Sequence, residues 1–209
     1  MNEQTVFIVD DDSSVRKGLA RLIRAAGLNV ESFASAREFL DSGHLERPGC
    51  IILDVQMPEM TGPELQEELG KTQNYLPIIF LSAHGDVSIT AQTMKKGAVD
   101  FLTKPVDGNN LIKAIHISLE KDRINRNINL KRAIINEKMN TLTAREYEVM
   151  TYVITGMLNK QIAGDLNISD ETVKIHRGRV THKLGIVSAA ELVRLCEFVG
   201  IAPAKELNK

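Results

Sequence analysis

The sequence predicts a doubly wound α/β domain, in which helices cover both faces of a parallel sheet, followed by a smaller all-α domain. In the first half, short apolar runs of β type alternate with stretches of helical periodicity, whereas the second half shows helical periodicity alone. The chain has 209 residues, which exceeds the roughly 100 to 150 residues of a typical domain. We therefore expect two domains, at 1–121 and 141–209, joined by a helical linker at 122–140.

Each predicted strand of the first half is followed by a predicted helix. The strands are expected at 5–9, 29–33, 51–54, 78–81 and 100–102, and the helices near 14–26, 36–43, 62–70, 87–96 and from 108 onward. Such βα units are typical of a flavodoxin-like domain, whose functional groups gather at the carboxyl ends of the strands. In the second half, helices are expected to begin after Thr143, at Asn159, after Ser169 and after Ser188.

The segment from Asn110 to Leu142 contains neither Gly nor Pro, so the last helix of the first domain can extend into the linker. A seam of residues three or four apart is apolar at four of its six positions: Ile117, Lys121, Ile124, Ile128, Lys131 and Ile135. Such a seam suits a coiled-coil contact or a solvated linker helix, and the pattern leaves both open.

Charge is distributed unevenly along the chain. Residues 1–122 hold 18 Asp and Glu against 12 Lys and Arg, residues 123–140 hold 5 basic and 1 acidic side chain, and residues 141–209 hold 9 and 8. The acidic first half suits a metal ion or a kinase as partner, and the basic segment that follows suits a polyanion. The sequence has no apolar run of about 18 residues and no signal-peptide start. We expect a cytoplasmic protein without a membrane partner, in which Cys50 and Cys196 are buried and unpaired.

Polar groups follow four of the predicted strands. Asp10, Asp11 and Asp12 end the first strand and Asp54 ends the third, and strand ends of this kind meet at one edge of the sheet. Clustered carboxylates repel one another, and a hard divalent cation, Mg²⁺ or Mn²⁺, relieves that repulsion. Ser82 ends the fourth strand and Lys104 follows the fifth. A carboxylate nucleophile, a metal and an ammonium group together predict a phosphoryl-transfer site.

These residues lie in four motifs: Val9–Asp12, Leu53–Gly62, Leu81–Gly85 and Phe101–Pro105. Over residues 5–120 the chain resembles a bacterial response-regulator receiver domain, which implies a CheY-like fold. The resemblance implies that Asp54 is the phospho-acceptor and that Asp10, Asp11, Asp54 and the backbone carbonyl of Gln56 bind the metal. It also implies that Lys104 binds the phosphoryl group, that Ser82 and Phe101 form the switch, and that the Lys104–Pro105 bond is cis.

The second half contains a helix-turn-helix pattern. Leu158–Leu166 has the character of a helix, Asn167–Ser169 of a short turn, and a second helix follows. On this second helix Val173, Val180 and Leu184 form an apolar stripe, and no acidic residue occurs between Glu171 and Glu191. A locally basic helix of this kind suits DNA phosphates and base edges in the major groove.

Residues 141–199 resemble the LuxR-type tetrahelical DNA-binding domain, through Leu142–Glu146, Asn159–Ala163 and Thr172–His176. Together the two resemblances indicate the FixJ/NarL class, and His84–Asp86 and Gly97–Phe101 look more like FixJ. The expected DNA contacts are Lys160, Thr172, Lys174, Ile175, Arg177, Arg179 and Lys183. We expect Lys174 and Arg177 to read bases, and Lys160 and Lys183 to contact phosphates. Gly178 lies inside the second helix of the motif, where many members of the family it resembles carry a longer polar residue. It either lets the helix approach DNA closely or shifts base reading to Arg177 and Arg179.

The sequence therefore predicts a transcription regulator that a sensor histidine kinase phosphorylates, with promoter DNA, RNA polymerase and a second copy of the chain as partners. One alternative is a Mg²⁺-dependent phosphatase or phosphotransferase. Gln56 argues against it, because such enzymes commonly carry a general acid two residues after the nucleophile. Another is an RNA-binding output or a regulator that ignores phosphorylation. RNA modules usually show stacking aromatics, and the output region has only Tyr147, Tyr152 and Phe198, so the sequence favours DNA.

Overall fold

The structure is a computed structural model that describes residues 4–72, 76–83 and 87–204. The chain divides into two compact units, Met1–Arg126 and Asn127–Lys209. This division differs from the predicted one, because residues 122–126 belong to the first unit and 127–140 to the second. The predicted His84–Asp86 motif lies outside the described residues.

In the first unit the described residues form a parallel sheet of order β2-β1-β3-β4-β5, and every predicted strand is present. The strands are β1 Thr5–Val9, β2 Asn29–Phe33, β3 Gly49–Asp54, β4 Ile78–Ser82 and β5 Asp100–Thr103. The helices are α1 Ser13–Ala25, α2 Ala36–Asp41, α3 Gly62–Lys71, α4 Val87–Lys95 and α5 Gly108–Met139. A 3-10 helix at His44–Glu46 was not predicted.

The two faces of the sheet carry separate apolar cores. Because successive strand residues point to opposite faces, Phe7 and Leu53 pack with α2 and α3, whereas Ile8 and Ile52 pack with α1 and α5. This is the doubly wound arrangement that the sequence predicts. The chain leaves β1 toward β2 on one side and returns to β3 on the other, so a crevice opens beyond the ends of β1 and β3.

A buried carboxylate fixes α5 to the start of β3. Asp122 is 1% exposed, and its Oδ2 atom accepts a hydrogen bond from the Gly49 amide at 2.9 Å. The Arg126 guanidinium pairs with Asp122 at 2.8 Å and donates to the carbonyl groups of Glu46 (2.9 Å) and Arg47 (2.6 Å). These contacts explain why residues 122–126 belong to the first unit.

Up to residue 204, the second unit contains four helices after α5: α6 Ala144–Val153, α7 Asn159–Leu166, α8 Asp170–Leu184 and α9 Ala189–Val199. Side chains of Thr143, Ser169 and Ser188 cap α6, α8 and α9, as the sequence predicts. The predicted stripe on α8 is buried in the core, which also contains Cys196. Cys50 is buried in the first unit, and both thiols are free. None of the described helices is long and apolar enough to cross a membrane.

Gly62 lies where α3 passes close to the end of β3. A Cβ atom there would lie 2.3 Å from the Asp54 carbonyl oxygen and 3.0 Å from the Phe80 ring, whereas a Cβ at Gly70 of the same helix would meet nothing within 4 Å. We expect Gly62→Ala to lower the melting temperature because β3 or α3 must shift. Gly70→Ala is the matched control and should add about 0.5–1 kcal/mol to the unfolding free energy. Equal melting temperatures for Gly62→Ala and the wild type would contradict the close approach.

Candidate functional site

An ammonium group joins the carboxylates at the crevice of the first unit. Lys104 Nζ lies 2.7 Å from Asp10 Oδ2 and 2.6 Å from Asp54 Oδ1. Asp10 follows β1, Asp54 ends β3 and Lys104 follows β5, so one ammonium group connects three strand ends. Asp10 is 1% exposed and Asp54 is 6% exposed. Two buried carboxylates share one ammonium group, which leaves the site with an excess of negative charge.

Backbone amides orient the two carboxylates. Asp10 Oδ1 accepts from the Asp12 amide at 2.9 Å, and Asp54 Oδ2 accepts from the Gln56 amide at 3.2 Å. Asp12 itself caps α1, because its Oδ1 atom accepts from the Ser14 amide at 2.7 Å and from the Ser14 hydroxyl at 2.6 Å. The Asp12 side chain therefore caps α1, whereas Asp10 and Asp54 are the carboxylates that contact Lys104.

Burial and charge act in opposite directions on this pair. Burial raises the pKa of Asp54, nearby Asp10 raises it further, and the hydrogen bond and charge of Lys104 only partly offset the rise. Burial alone would lower the pKa of Lys104, but its hydrogen bonds to Asp10 and Asp54 outweigh that effect and raise it. The ionised Asp54 carboxylate is therefore poorly stabilised, which favours its reaction with an electrophile or its pairing with a further cation.

Ser82 and Phe101 lie on the neighbouring strands. Ser82 ends β4 and is buried, and its carbonyl oxygen accepts from the Lys104 amide at 2.7 Å. Phe101 is half-buried in β5, with its ring centroid 6.2 Å from that of Phe80. The Lys104–Pro105 bond is cis, as the resemblance implies.

The predicted metal ligands are gathered only in part. Asp11 is exposed, and within the described parts of the chain no three His, Cys, Asp or Glu side chains lie close enough to hold an ion together. The available donors are nevertheless all oxygen atoms: the carboxylates of Asp10, Asp11 and Asp54 and the backbone carbonyl of Gln56. This donor set, with its excess negative charge, fits a hard divalent cation.

On the output unit, the predicted DNA-contact residues fall into three groups. Arg177 Nη1 donates to Asn159 Oδ1 of α7 at 2.6 Å, and Lys183 Nζ pairs with Glu146 Oε2 of α6 at 2.6 Å. These two cations hold α8 against α6 and α7. Thr172 is half-buried, and its hydroxyl lies 2.7 Å from Ser169 Oγ. The exposed members are Lys160, Lys174, Ile175 and Arg179.

Both units match known families. Residues 6–116 match the response regulator receiver domain, and residues 125–196 match the bacterial regulatory proteins of the luxR family. The chain belongs to the response-regulator family. It is a two-component response regulator with a receiver domain and a LuxR-type DNA-binding domain, as its sequence predicts, and the family is one of regulators rather than of classical enzymes. A histidine kinase and DNA are the partners that these two domains imply.

Several response regulators resemble the chain over nearly its full length. It is 42% identical to nodulation protein W of Bradyrhizobium diazoefficiens, over 94% of this chain and 87% of that protein. It is 37% identical to the transcriptional regulatory protein FixJ of Rhizobium meliloti, over 98% of this chain and all of that protein. Among solved structures, the response regulator StyR aligns with a TM-score of 0.79 and 44% identity, over 93% of this chain and 98% of StyR.

Sequence reasoning did not identify the residues that hold the response regulator's elements in place. One of them is Asp122, which binds Arg126 of its own helix. The others are Asn159 and Glu146, which bind Arg177 and Lys183 of α8. Asp122 and Arg126 are four residues apart, which is a recognisable pairing on a helix. Nothing local in the sequence indicates that Asn159 and Glu146 receive side chains of α8.

Glu146 makes the output domain sensitive to acid. The hydrogen bond from Lys183 and then that from the Thr143 amide lower the pKa of Glu146 to about 2, against the opposing effect of burial. Because this value lies below the ordinary 4.5, the ionised carboxylate stabilises the domain above pH 4.5, and the contribution is lost as the pH falls toward 2.

We expect Glu146→Gln to flatten this dependence of stability on pH between 5 and 2. Urea titrations at several pH values, with hydrogen exchange of α6 and α8 as the readout, measure it. Glu148→Gln, on the exposed side of α6, is the control and should keep the wild-type pH profile. An unchanged profile for Glu146→Gln would show that the ion pair with Lys183 does not stabilise the domain.

Proposed function

We propose that Asp54 accepts a phosphoryl group from a sensor histidine kinase, and that the phosphorylated chain forms a homodimer that binds promoter DNA. The observation that supports this proposal is the Lys104 ammonium group held between Asp10 and Asp54. Asp54 lies at the crevice with this cation beside it, and its burial keeps the pKa of the carboxyl raised against the opposing effect of Lys104. These are the features that a carboxylate nucleophile for phosphorus needs.

The transfer proceeds by attack of an Asp54 carboxylate oxygen on phosphorus. The new O–P bond forms as the P–N bond of the phosphohistidine breaks, and the electron pair of that bond stays on the imidazole nitrogen. Lys104, which lies 2.6 Å from Asp54 Oδ1, offsets the charge on the phosphoryl oxygens. Asp10 keeps the ammonium group in place while Asp54 becomes an acyl phosphate.

Asp10, Asp11, Asp54 and the Gln56 carbonyl would hold Mg²⁺ or Mn²⁺ in this site. When bound, the cation neutralises negative charge on the phosphoryl oxygens during transfer. Asp10 and Asp54 are already fixed by backbone amides, and Asp11 extends the oxygen donors to the exposed side of the crevice.

We propose that Ser82 and Phe101 transmit the phosphorylation of Asp54 to a dimer surface on the receiver domain. Ser82 ends β4 beside the end of β3 that carries Asp54, and we propose that its hydroxyl turns to a phosphoryl oxygen on Asp54 and that Phe101, on the neighbouring strand, changes its position in response. The predicted dimer surface spans residues 84–104, of which 84–86 lie outside the described residues. Its α4 helix exposes Val87 (82%) and Met94 (40%), apolar side chains that a second copy of the chain would cover.

In the output domain, we propose that α8 enters the major groove and that the dimer spans two half-sites about one helical turn apart. Lys160, on α7, contacts a phosphate, and Lys174 and Arg179 offer exposed cations on α8. Arg177 and Lys183 reach DNA only by sharing or leaving their bonds to Asn159 and Glu146. Promoter-bound dimers would then act through RNA polymerase.

Asp54→Asn should abolish phosphorylation by acetyl phosphate or by a phosphorylated kinase, because the amide is not a nucleophile for phosphorus. Intact-protein mass spectrometry measures the added phosphoryl group. Asp12→Asn is the matched control at the same strand end, and it should incorporate phosphate like the wild type because an asparagine still caps α1. Incorporation into Asp54→Asn at the wild-type level would disprove the assignment.

Phosphorylation should shift the chain toward dimers and increase its affinity for specific DNA. A shift from 1:99 to 99:1 needs about 5.5 kcal/mol of differential stabilisation, so we expect a partial shift that DNA completes. Sedimentation velocity with and without acetyl phosphate measures the dimer fraction, and Asp54→Asn should not respond. If wild type and variant respond alike, the change in oligomeric state does not come from Asp54.

A further inference from the structure

Gly178 lies in the middle of α8, where the fold does not require a glycine. Its φ angle is not positive, and a Cβ atom at this position would meet nothing within 4 Å. Glycine in a helix interior is less favourable than alanine. Gly178 therefore slightly lowers the free energy of unfolding of the isolated chain, and no packing contact within the described residues offsets this loss.

Gly178 is central to the exposed face of α8. It follows Lys174 by four residues and Ile175 by three, and it precedes His182 by four, so these side chains border it on one helix face. The opposite face carries the buried stripe of Val173, Val180 and Leu184. The missing side chain thus leaves a gap in the surface that α8 presents to solvent.

The border of this gap is apolar on one side. The side chain of Ile175 is 48% exposed, although burial of an apolar side chain away from water is favourable in free energy. The cations nearest the core cannot fill the gap, because Arg177 is bonded to Asn159 and Lys183 to Glu146. Lys174 is held toward the start of the helix by Asp170 at 3.2 Å and Glu171 at 3.3 Å. The gap therefore has the bare helix backbone as its floor and Ile175 as its apolar side, with the exposed Lys174 and His182 as its polar neighbours.

We propose that Gly178 and Ile175 form a subsite for the 5-methyl group of a thymine in the operator. In the major groove, thymine alone among the four bases presents a methyl group, and apolar side chains read it by contact. The absence of a Cβ at Gly178 lets the α8 backbone approach that base edge closely. This inference rests on the proposed seating of α8 in the major groove, and it gives that helix an apolar specificity determinant beside its cations.

The test uses the full chain and a duplex selected by it from a randomised pool. Each thymine of the duplex is replaced in turn by deoxyuridine, which removes only the methyl group. One thymine in each half-site should lose about fourfold in affinity on replacement, the value expected for burial of one methyl group. Ile175→Ala should bind the thymine and uracil duplexes equally.

Gly178→Ala should raise the melting temperature and yet weaken binding to the selected duplex, with loss of the thymine preference. Gly18→Ala is the matched control, because Gly18 lies inside α1 and a Cβ there also meets nothing within 4 Å. It should raise the melting temperature and leave DNA affinity unchanged. If Gly178→Ala binds like the wild type, or if uracil is tolerated at every position, the subsite is disproved.

The same experiment separates this inference from the proposed function. If selection enriches no duplex over random DNA, sequence-specific binding by the chain fails, and the thymine subsite fails with it. If a duplex is enriched and Lys160→Ala weakens binding to all sequences while uracil has no effect, the DNA interface stands and only the methyl subsite is wrong.

Discussion

The receiver domain depends on one ammonium group between two buried carboxylates. Without Lys104, Asp10 and Asp54 would face each other as like charges in a site from which water is largely excluded, and the ends of β1 and β3 would repel. The same contact that stabilises the strand ends also prepares the chemistry. In the proposed phosphoryl transfer it brings a cation to the phosphoryl oxygens, while burial and nearby Asp10 keep the pKa of Asp54 raised against the opposing effect of Lys104. Structure and reactivity at this edge therefore have a common electrostatic origin.

The convergence of Asp10, Asp54 and Lys104 could be predicted because it follows from topology alone. Parallel strands place their carboxyl ends at one edge, so residues far apart in sequence meet without any specific local signal. The division between the domains could not be predicted in this way. It depends on Asp122 meeting the Gly49 amide, 73 positions away, and on the Arg126 contacts with the carbonyls around the 3-10 helix. The helical pattern of α5 is the same whether Asp122 faces a partner or water.

The basic face of α8 shows a second limit of sequence reasoning. Periodicity correctly identified the buried stripe, but it did not distinguish cations that hold the helix from cations that remain exposed. Arg and Lys side chains are long enough to reach neighbouring helices, so their roles depend on what those helices offer, here Asn159 and Glu146. The output unit is small and buries a limited apolar core, so such ties carry a larger share of its stability than they would in a larger domain.

This separation of holding and exposed residues bears on how the family diversifies. Arg177 and Lys183 secure α8 through its core side. Within the described residues, Lys174, Ile175, Gly178 and Arg179 make no side-chain hydrogen bond or ion pair to another helix, because the partners of Lys174 lie on α8 itself. In the proposed DNA complex, mutations in the second group would change the promoters that the protein recognises without a threat to folding. The contacts of Arg177 and Lys183 with α7 and α6 would be retained, because the loss of either cation leaves Asn159 or Glu146 without its partner on α8. On that proposal, DNA preference can change while the contacts that position α8 are retained.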